Sequence, residues 1–373
     1  MQIAVDTRFL QSAENPGYAK FTSEVFCRLA NQHTEHRFLF LQDKVHDASF
    51  ALPENVTTVT ITPEPKNLIT YKWWYDVKLP LALKKHQPDL FIGSYGFCSL
   101  STPIPQVLIV HDLAFLHKGL AGAASGKNFY KKYFPAFIKR SKAVATLSGF
   151  VKEEIESKYT SDTTIKVISS GAADHFKPME WEQREQIKEQ YTAGCEYFVF
   201  TAGFEPASRL LNVLKAFSLF KKRQKTNMKL VITGELAFYK KEFEKLNTYK
   251  YRNELVILEN LTGIEKAKVV AAAYAFIFTT GYPGFAAPVV EALQCEVPVI
   301  ASAKTSAQEI AADAALYVDA GKPEEIAEEM KRVFKDEQLR SKLITAGKER
   351  AKLFTWNNTT TLLWQLIEEA VCK

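Results

Sequence analysis

Glu291 falls one turn into a helix predicted to start at Pro288, directly after the glycine-bearing turn Thr279-Thr-Gly-Tyr-Pro-Gly-Phe-Ala-Ala287. Proline suits a first helical residue because its missing N–H would be unpaired there anyway. The remaining N–H groups and the positive end of the helix dipole make an anion site. A phosphate can sit on that helix start while the Glu291 carboxylate accepts hydrogen bonds from a ribose. Elsewhere, His111-Asp112 follows the apolar run Val107-Leu-Ile-Val110, which places an imidazole at the carboxyl end of a buried strand, where open α/β sheets bind ligands. Asp112 is expected to orient the loop or the histidine. Near the amino terminus Asp6 ends the first strand and Asn15-Pro-Gly-Tyr-Ala-Lys-Phe21 opens a helix, although Asn-Pro-Gly is also an ordinary loop signal.

These residues need strands to carry them. Apolar runs ahead of amphipathic segments recur at Ile3–Val5, Phe38–Phe40, Leu90–Ile92, Val107–Val110 and Val144–Thr146. A second series comprises Phe198–Phe200, Leu230–Ile232, Leu255–Leu258, Ala275–Phe278, Val297–Ile300 and Leu316–Val318. Such alternation predicts two Rossmann-like, parallel-sheet α/β domains. The polar, turn-like stretch up to Pro178 and the charged helix from Glu180 to Gln190 put the boundary between residues 1–180 and 181–355. Thr262-Gly-Ile-Glu265 is a capping-box pattern for the helix before the key loop.

A chain of 373 residues, 47% of them hydrophobic, has material for two cores. Its five cysteines are scattered and odd in number, which favours neither a disulfide framework nor a zinc site and suits a reducing compartment. The amino-terminal MQIAVDTRFL enters a strand directly, without the pattern of a signal peptide, so a cytoplasmic protein is expected. The longest apolar stretch, Val269–Phe278, is far short of the roughly 20 residues that span a bilayer. A net charge of +6 suits anionic small molecules or an anionic membrane surface and is too weak to argue for nucleic acid. Tyr71-Lys-Trp-Trp-Tyr75 and Lys127-Asn-Phe-Tyr-Lys-Lys-Tyr133 mix aromatics with lysines. They could meet a membrane interface or a lipid-linked acceptor, but buried aromatics with solvated lysines account for them more simply.

The loop through Glu291 resembles the nucleotide-sugar loop of family-4 (group 1) glycosyltransferases, which have the GT-B fold: two Rossmann-like domains facing across a cleft. In that family two glutamates flank a Gly-Phe-Gly-Leu-Pro segment. The matching residues here are Gly284, Phe285, Ala286, Ala287, Pro288 and Glu291, and the first glutamate falls on Pro283. The resemblance implies a ribose contact for Glu291 and a donor-sugar contact for His111, which would also help polarise the reacting centre. It matches Gly17 and Lys20 to the family's Gly-x-Gly-Arg loop beside the donor phosphate, with Ala19 in place of the second glycine. Glu205 and Pro206 match a further motif, whose arginine and lysine fall on Ala207 and Ser208, leaving Arg209 to face the diphosphate. Ser148-Gly-Phe150, Ser170-Gly171 and Gly234 correspond to structural turns, and Glu309 to a glutamate near the second domain's ligand edge. The segment 356–373 fits the family's closing helix, which returns to the first domain, with Trp356 as a packing anchor.

The function so implied is transfer of a sugar from a nucleotide diphosphate sugar to a carbohydrate or lipid-linked acceptor, with retention at the anomeric carbon. It belongs to polysaccharide or glycoconjugate synthesis and needs neither metal nor cofactor. The expected setting is the cytoplasm, at the inner face of the membrane if the acceptor is lipid-linked. Pro283, Ala207, Ser208 and Ala19 motivate the competing expectation, a degenerate GT-B protein that binds a nucleotide or glycan, or pairs with an active transferase, without catalysing transfer. A sugar-nucleotide epimerase is a third reading, but the loop around Glu291 resembles the transferases more closely.

Overall fold

The computed structural model of the chain describes residues 1–12, 16–45, 51–117, 123–159, 162–202, 208–234 and 245–372. They form two compact units, the first drawn from 1–118, 122–170 and 356–373 and the second from 171–355. The chain passes from one to the other at Ser170–Gly171, ahead of the expected boundary at residue 180. The cause is packing: Ala172, Ala173 and Phe176 lie in the core of the second unit.

In the first unit seven parallel strands stand in the order β3-β2-β1-β4-β5-β6-β7. They are β1 Gln2–Asp6, β2 Arg37–Gln42, β3 Val56–Thr60, β4 Leu90–Gly93, β5 Gln106–Val110, β6 Ala143–Thr146 and β7 Thr164–Val167. Every residue of β4, β5 and β6 is buried, as a parallel strand covered on both faces requires. Helix Trp356–Cys372 belongs to this unit. Trp356 is buried against Phe21, with ring centroids 6.3 Å apart, Thr359 Oγ1 donates to Ser169 O at 2.6 Å, and Lys166 pairs with Glu369 at 2.5 Å.

The second unit repeats the plan with six parallel strands in the order β10-β9-β8-β11-β12-β13. These are β8 Tyr197–Ala202, β9 Lys229–Gly234, β10 Leu255–Leu258, β11 Ala275–Phe278, β12 Val299–Ser302 and β13 Ala315–Val318. The two-residue period splits the apolar side chains between the faces: Ala275 and Ile277 fill one core, Phe276 and Phe278 the other. Strand order reverses between β1 and β4 in the first unit and between β8 and β11 in the second, and a crevice opens at the carboxyl ends of such strand pairs.

Candidate functional site

At the reversal point of the second unit, β11 runs into the loop Thr279–Ala286 and then helix Ala287–Gln294. Pro288 is thus the second helical residue rather than the first. The preceding cap residue, Ala286, has no side-chain oxygen to offer the first N–H groups, which leaves the helix start suited to an external anion. The guanidinium of Arg209, from the start of helix Ser208–Gln224, lies over Gly281: a Cβ added to that glycine would stand 2.5 Å from Nη2. Arg209 therefore lies against the loop at Gly281, ahead of Gly284 and Phe285, while Ala286 and Ala287 form the helix start beyond them. Pro283 is buried, and its carbonyl accepts a hydrogen bond from Ser306 Oγ at 2.8 Å, which ties the turn to helix Ser306–Ala311. Phe285 packs on Phe354, with centroids 6.2 Å apart. Thr279 Oγ1, at the end of β11, is buried with no hydrogen-bond partner among the described residues.

Glu291 is buried in helix Ala287–Gln294, and Lys266 Nζ donates to its Oε2 at 2.6 Å. Sequence reasoning passed over Lys266. The capping box was the available signal, since it sets the start of helix Gly263–Ala271 and hence the face on which Lys266 emerges. Both bonds of that box are present: Thr262 N donates to Glu265 Oε2 at 2.8 Å and Glu265 N to Thr262 Oγ1 at 3.2 Å. Gly234 ends β9 at φ +112°, a conformation only glycine adopts freely. Glu309 is exposed on helix Ser306–Ala311, where its carbonyl accepts from Arg350 Nη2 at 2.6 Å. Glu205, Pro206 and Ala207 lie outside the described residues, as does Asn15.

In the first unit His111 follows β5 and meets the helix that starts at Pro16. Its ring stands edge-on to Tyr18 and Phe21, with centroids 4.7 Å away in both cases. His111 Nε2 lies 2.9 Å from Ser94 O. A carbonyl only accepts, so Nε2 carries the proton and donates, and the lone pair is on Nδ1. Burial lowers the imidazole pKa to about 4, with the Ser94 bond opposing the shift, so the ring is neutral at physiological pH. Asp112 Oδ1 accepts from Ala114 N at 2.7 Å and so fixes the loop rather than the histidine.

Gly17 and Lys20 lie on helix Pro16–Thr22, the same short helix as Tyr18. A Cβ at Gly17 would meet nothing within 4 Å, so packing among the described residues does not demand a glycine there. At the β1 end, Arg8 Nε donates to Asp6 Oδ1 at 3.0 Å and Arg8 Nη2 to Tyr75 O–H at 2.6 Å, with all three residues buried. The sequence marks Asp6 at the end of the first strand but not its buried pairing through Arg8 with Tyr75.

Among the described residues no group of three or more His, Cys, Asp or Glu side chains is placed to hold a metal ion, and no helix is long and apolar enough to cross a membrane.

Residues 18–174 match the pattern described as Glycosyltransferase Family 4, and residues 182–350 match Glycosyl transferases group 1. The chain is 24% identical over 236 residues to O-antigen chain mannosyltransferase B of Escherichia coli, covering 62% of each chain. It is 23% identical over 285 residues to O-antigen chain mannosyltransferase RfbU of Salmonella typhimurium, covering 74% of each. The match to the serotype-specific mannosyltransferase WbdA of E. coli spans 33% of that longer protein. In three dimensions the chain resembles a glycosyltransferase from Rickettsia africae (TM-score 0.76, 15% identity, 99% and 98% of the two chains covered). It also resembles Anabaena HepE in complex with UDP-glucose (TM-score 0.73, 15% identity, 99% of each covered). With the two family patterns meeting almost end to end along the sequence, and two parallel sheets of the GT-B kind beneath them, the chain belongs to the family-4 (group 1) glycosyltransferases.

Proposed function

We propose that the protein transfers a mannosyl residue from a nucleotide diphosphate donor to a carbohydrate or lipid-linked acceptor, in polysaccharide synthesis of the O-antigen kind. The observation that carries this reading is the position of Arg209 over Gly281, on the loop that leads into the helix of Glu291. A cation packed against a loop that leads into a helix start suits a diphosphate. A buried carboxylate one turn further suits the ribose hydroxyls, and Lys266 holds it in place.

The chemistry follows from where charge develops. As the sugar departs, negative charge grows on the diphosphate, and a preorganised guanidinium lowers the barrier by a few kcal/mol, about 3 in comparable sites. The departing diphosphate also accepts the acceptor's hydroxyl proton, and transfer proceeds with retention. In the first unit the neutral His111 ring is assigned to the donor sugar, and Gly17 and Lys20 to its phosphate. The mannosyl donor is supported by the two O-antigen mannosyltransferases. A lipid-linked acceptor would call for work at the cytoplasmic face of a membrane, with the net charge of +6 in support.

Calorimetry with GDP-mannose and UDP-glucose, followed by transfer to a mannose-terminated glycan with NMR of the new anomeric centre, tests the reading. GDP-mannose binding with a retained anomer is expected. Binding without transfer would leave a non-catalytic subunit, and no binding of either nucleotide would end the proposal.

A further inference from the structure

On the first unit the crossover between β3 and β4 is one continuous helical segment, Leu68–His86, built from α-helix Leu68–Trp73, a π-turn Trp74–Lys78 and α-helix Leu79–His86. Its inner face is made by Trp74, Tyr75, Leu79 and Leu83, all buried. The outer face carries a second apolar row. Ile69 is 82% exposed, Trp73 41%, Val77 43% and Leu81 62%. In an α-helix each step of four residues overshoots a turn by roughly 40°, so such a row should wind away round the axis. The π-turn, in which Leu79 N–H bonds to Trp74 O, widens the helix at the step from Trp73 to Val77 and takes back part of that rotation. The four side chains therefore stay on one side.

Lysines surround the row. Lys66 precedes it, Lys72 and Lys78 flank its middle, and Lys84 and Lys85 follow it, while the only acidic residue from 66 to 86 is Asp76. Asp76 is itself paired with Lys72. Lys78 Nζ stands 5.1 Å from the Trp73 ring centroid, so an indole and an ammonium are presented together.

We propose that this outer face is a docking surface for an anionic lipid bilayer, with Ile69, Trp73, Val77 and Leu81 entering the headgroup boundary and the lysines meeting lipid phosphates. The inference deepens the membrane-side placement proposed above and rests on that reading. An apolar row framed by cations matches both layers of an anionic membrane surface, the acyl boundary and the charged headgroups. A second copy of the chain is a poorer occupant. A symmetric contact through this face would set its lysines against the same lysines, with no unpaired carboxylate on the segment to offset them.

The test is flotation of the full chain with vesicles of phosphatidylglycerol and phosphatidylethanolamine, against phosphatidylcholine vesicles, without nucleotide. The wild type should float with the anionic vesicles only and fall away as salt is raised. Both I69S/W73S/L81S and K78E/K84E/K85E should lower partitioning by roughly tenfold or more. The charge-reversal variant keeps all apolar packing, so it remains informative should the serine variant fold poorly. A wild type that stays with the soluble fraction, variants that float like the wild type, or a dimer that dissociates in I69S/W73S/L81S without any vesicle binding would each overturn the inference. GDP-mannose binding, measured without vesicles on the same variants, should be unchanged, which separates failure of the membrane surface from failure of the transferase reading.

Discussion

Arg209 and Gly281 occupy one another's space so closely that no side chain fits between them: a Cβ on Gly281 would come 2.5 Å from Arg209 Nη2 and 3.2 Å from Cζ. The far end of an arginine can move, whereas the loop backbone cannot easily do so. Gly281→Ala should therefore fold normally and displace the guanidinium. Donor affinity measured by calorimetry should fall roughly tenfold in Gly281→Ala and by tenfold or more in Arg209→Ala, with Tm nearly unchanged in both. The double variant should be no worse than Arg209→Ala alone. Additive losses would mean that the glycine acts independently of the arginine.

The same loop shows what could be read in advance. Strands buried on both faces announce themselves as unbroken apolar runs, so β1, β4, β5, β8 and β11 were legible at once. The edge strands of the first unit, β3 (Val-Thr-Thr-Val-Thr) and β7 (Thr-Ile-Lys-Val), were not, because polar residues interrupt both runs. Strand β12 starts at Val299 rather than Val297, since Pro298 offers the sheet only its carbonyl, bonded to Phe276 N at 2.8 Å. Pairings such as Lys266 with Glu291, or Arg8 with Tyr75, join residues far apart in sequence, so a local signal such as the Thr262 capping box marks at most one partner of each. The π-turn in Leu68–His86 is equally silent, because its residues also suit an ordinary helix.

Ser306 Oγ donates to the carbonyl of Pro283, and both residues are buried. Ser306→Ala leaves that carbonyl unpaired, which should cost about 1 kcal/mol of stability in urea denaturation. Because the bond holds the turn where the family's first glutamate would stand, the variant should also raise the KM for the donor several-fold with kcat little changed. A stability loss with unaltered KM would mark the bond as purely structural.

His111 makes the pH dependence specific. Its folded-state pKa, about 4, lies below the ordinary value of 6.5, so between those pH values the unfolded chain binds a proton that the folded chain excludes. Stability from this group is complete above pH 6.5 and is lost as pH falls toward 4, by up to about 3 kcal/mol. His111→Gln should remove that slope. Urea denaturation at pH 7.5, 6 and 5 should show the gap between wild type and variant changing in favour of the variant as pH drops, and parallel curves would mean that the histidine is not held neutral. Transfer by the wild type should show no inflection from this ring between pH 5.5 and 8, whereas His111→Gln should lower kcat roughly tenfold or more through loss of the imidazole contact.

Lys266 and Glu291 form a pair whose two halves should fail differently. Removing the lysine in Lys266→Met leaves a buried carboxylate without its cation, which should destabilise the second unit by about 3 kcal/mol. Removing the charge in Glu291→Gln leaves a partly exposed lysine that water can solvate, so the stability loss should be smaller, about 1 kcal/mol, while nucleotide affinity drops as the ribose loses a charged acceptor. In Lys266→Met/Glu291→Gln the stability should recover most of the way, because no unpaired charge remains, yet nucleotide affinity should stay low. The cycle thus separates two roles, electrostatic support from Lys266 and ligand recognition by Glu291. If instead the double variant regained affinity along with stability, the carboxylate would serve the core of helix Ala287–Gln294 and not the ribose.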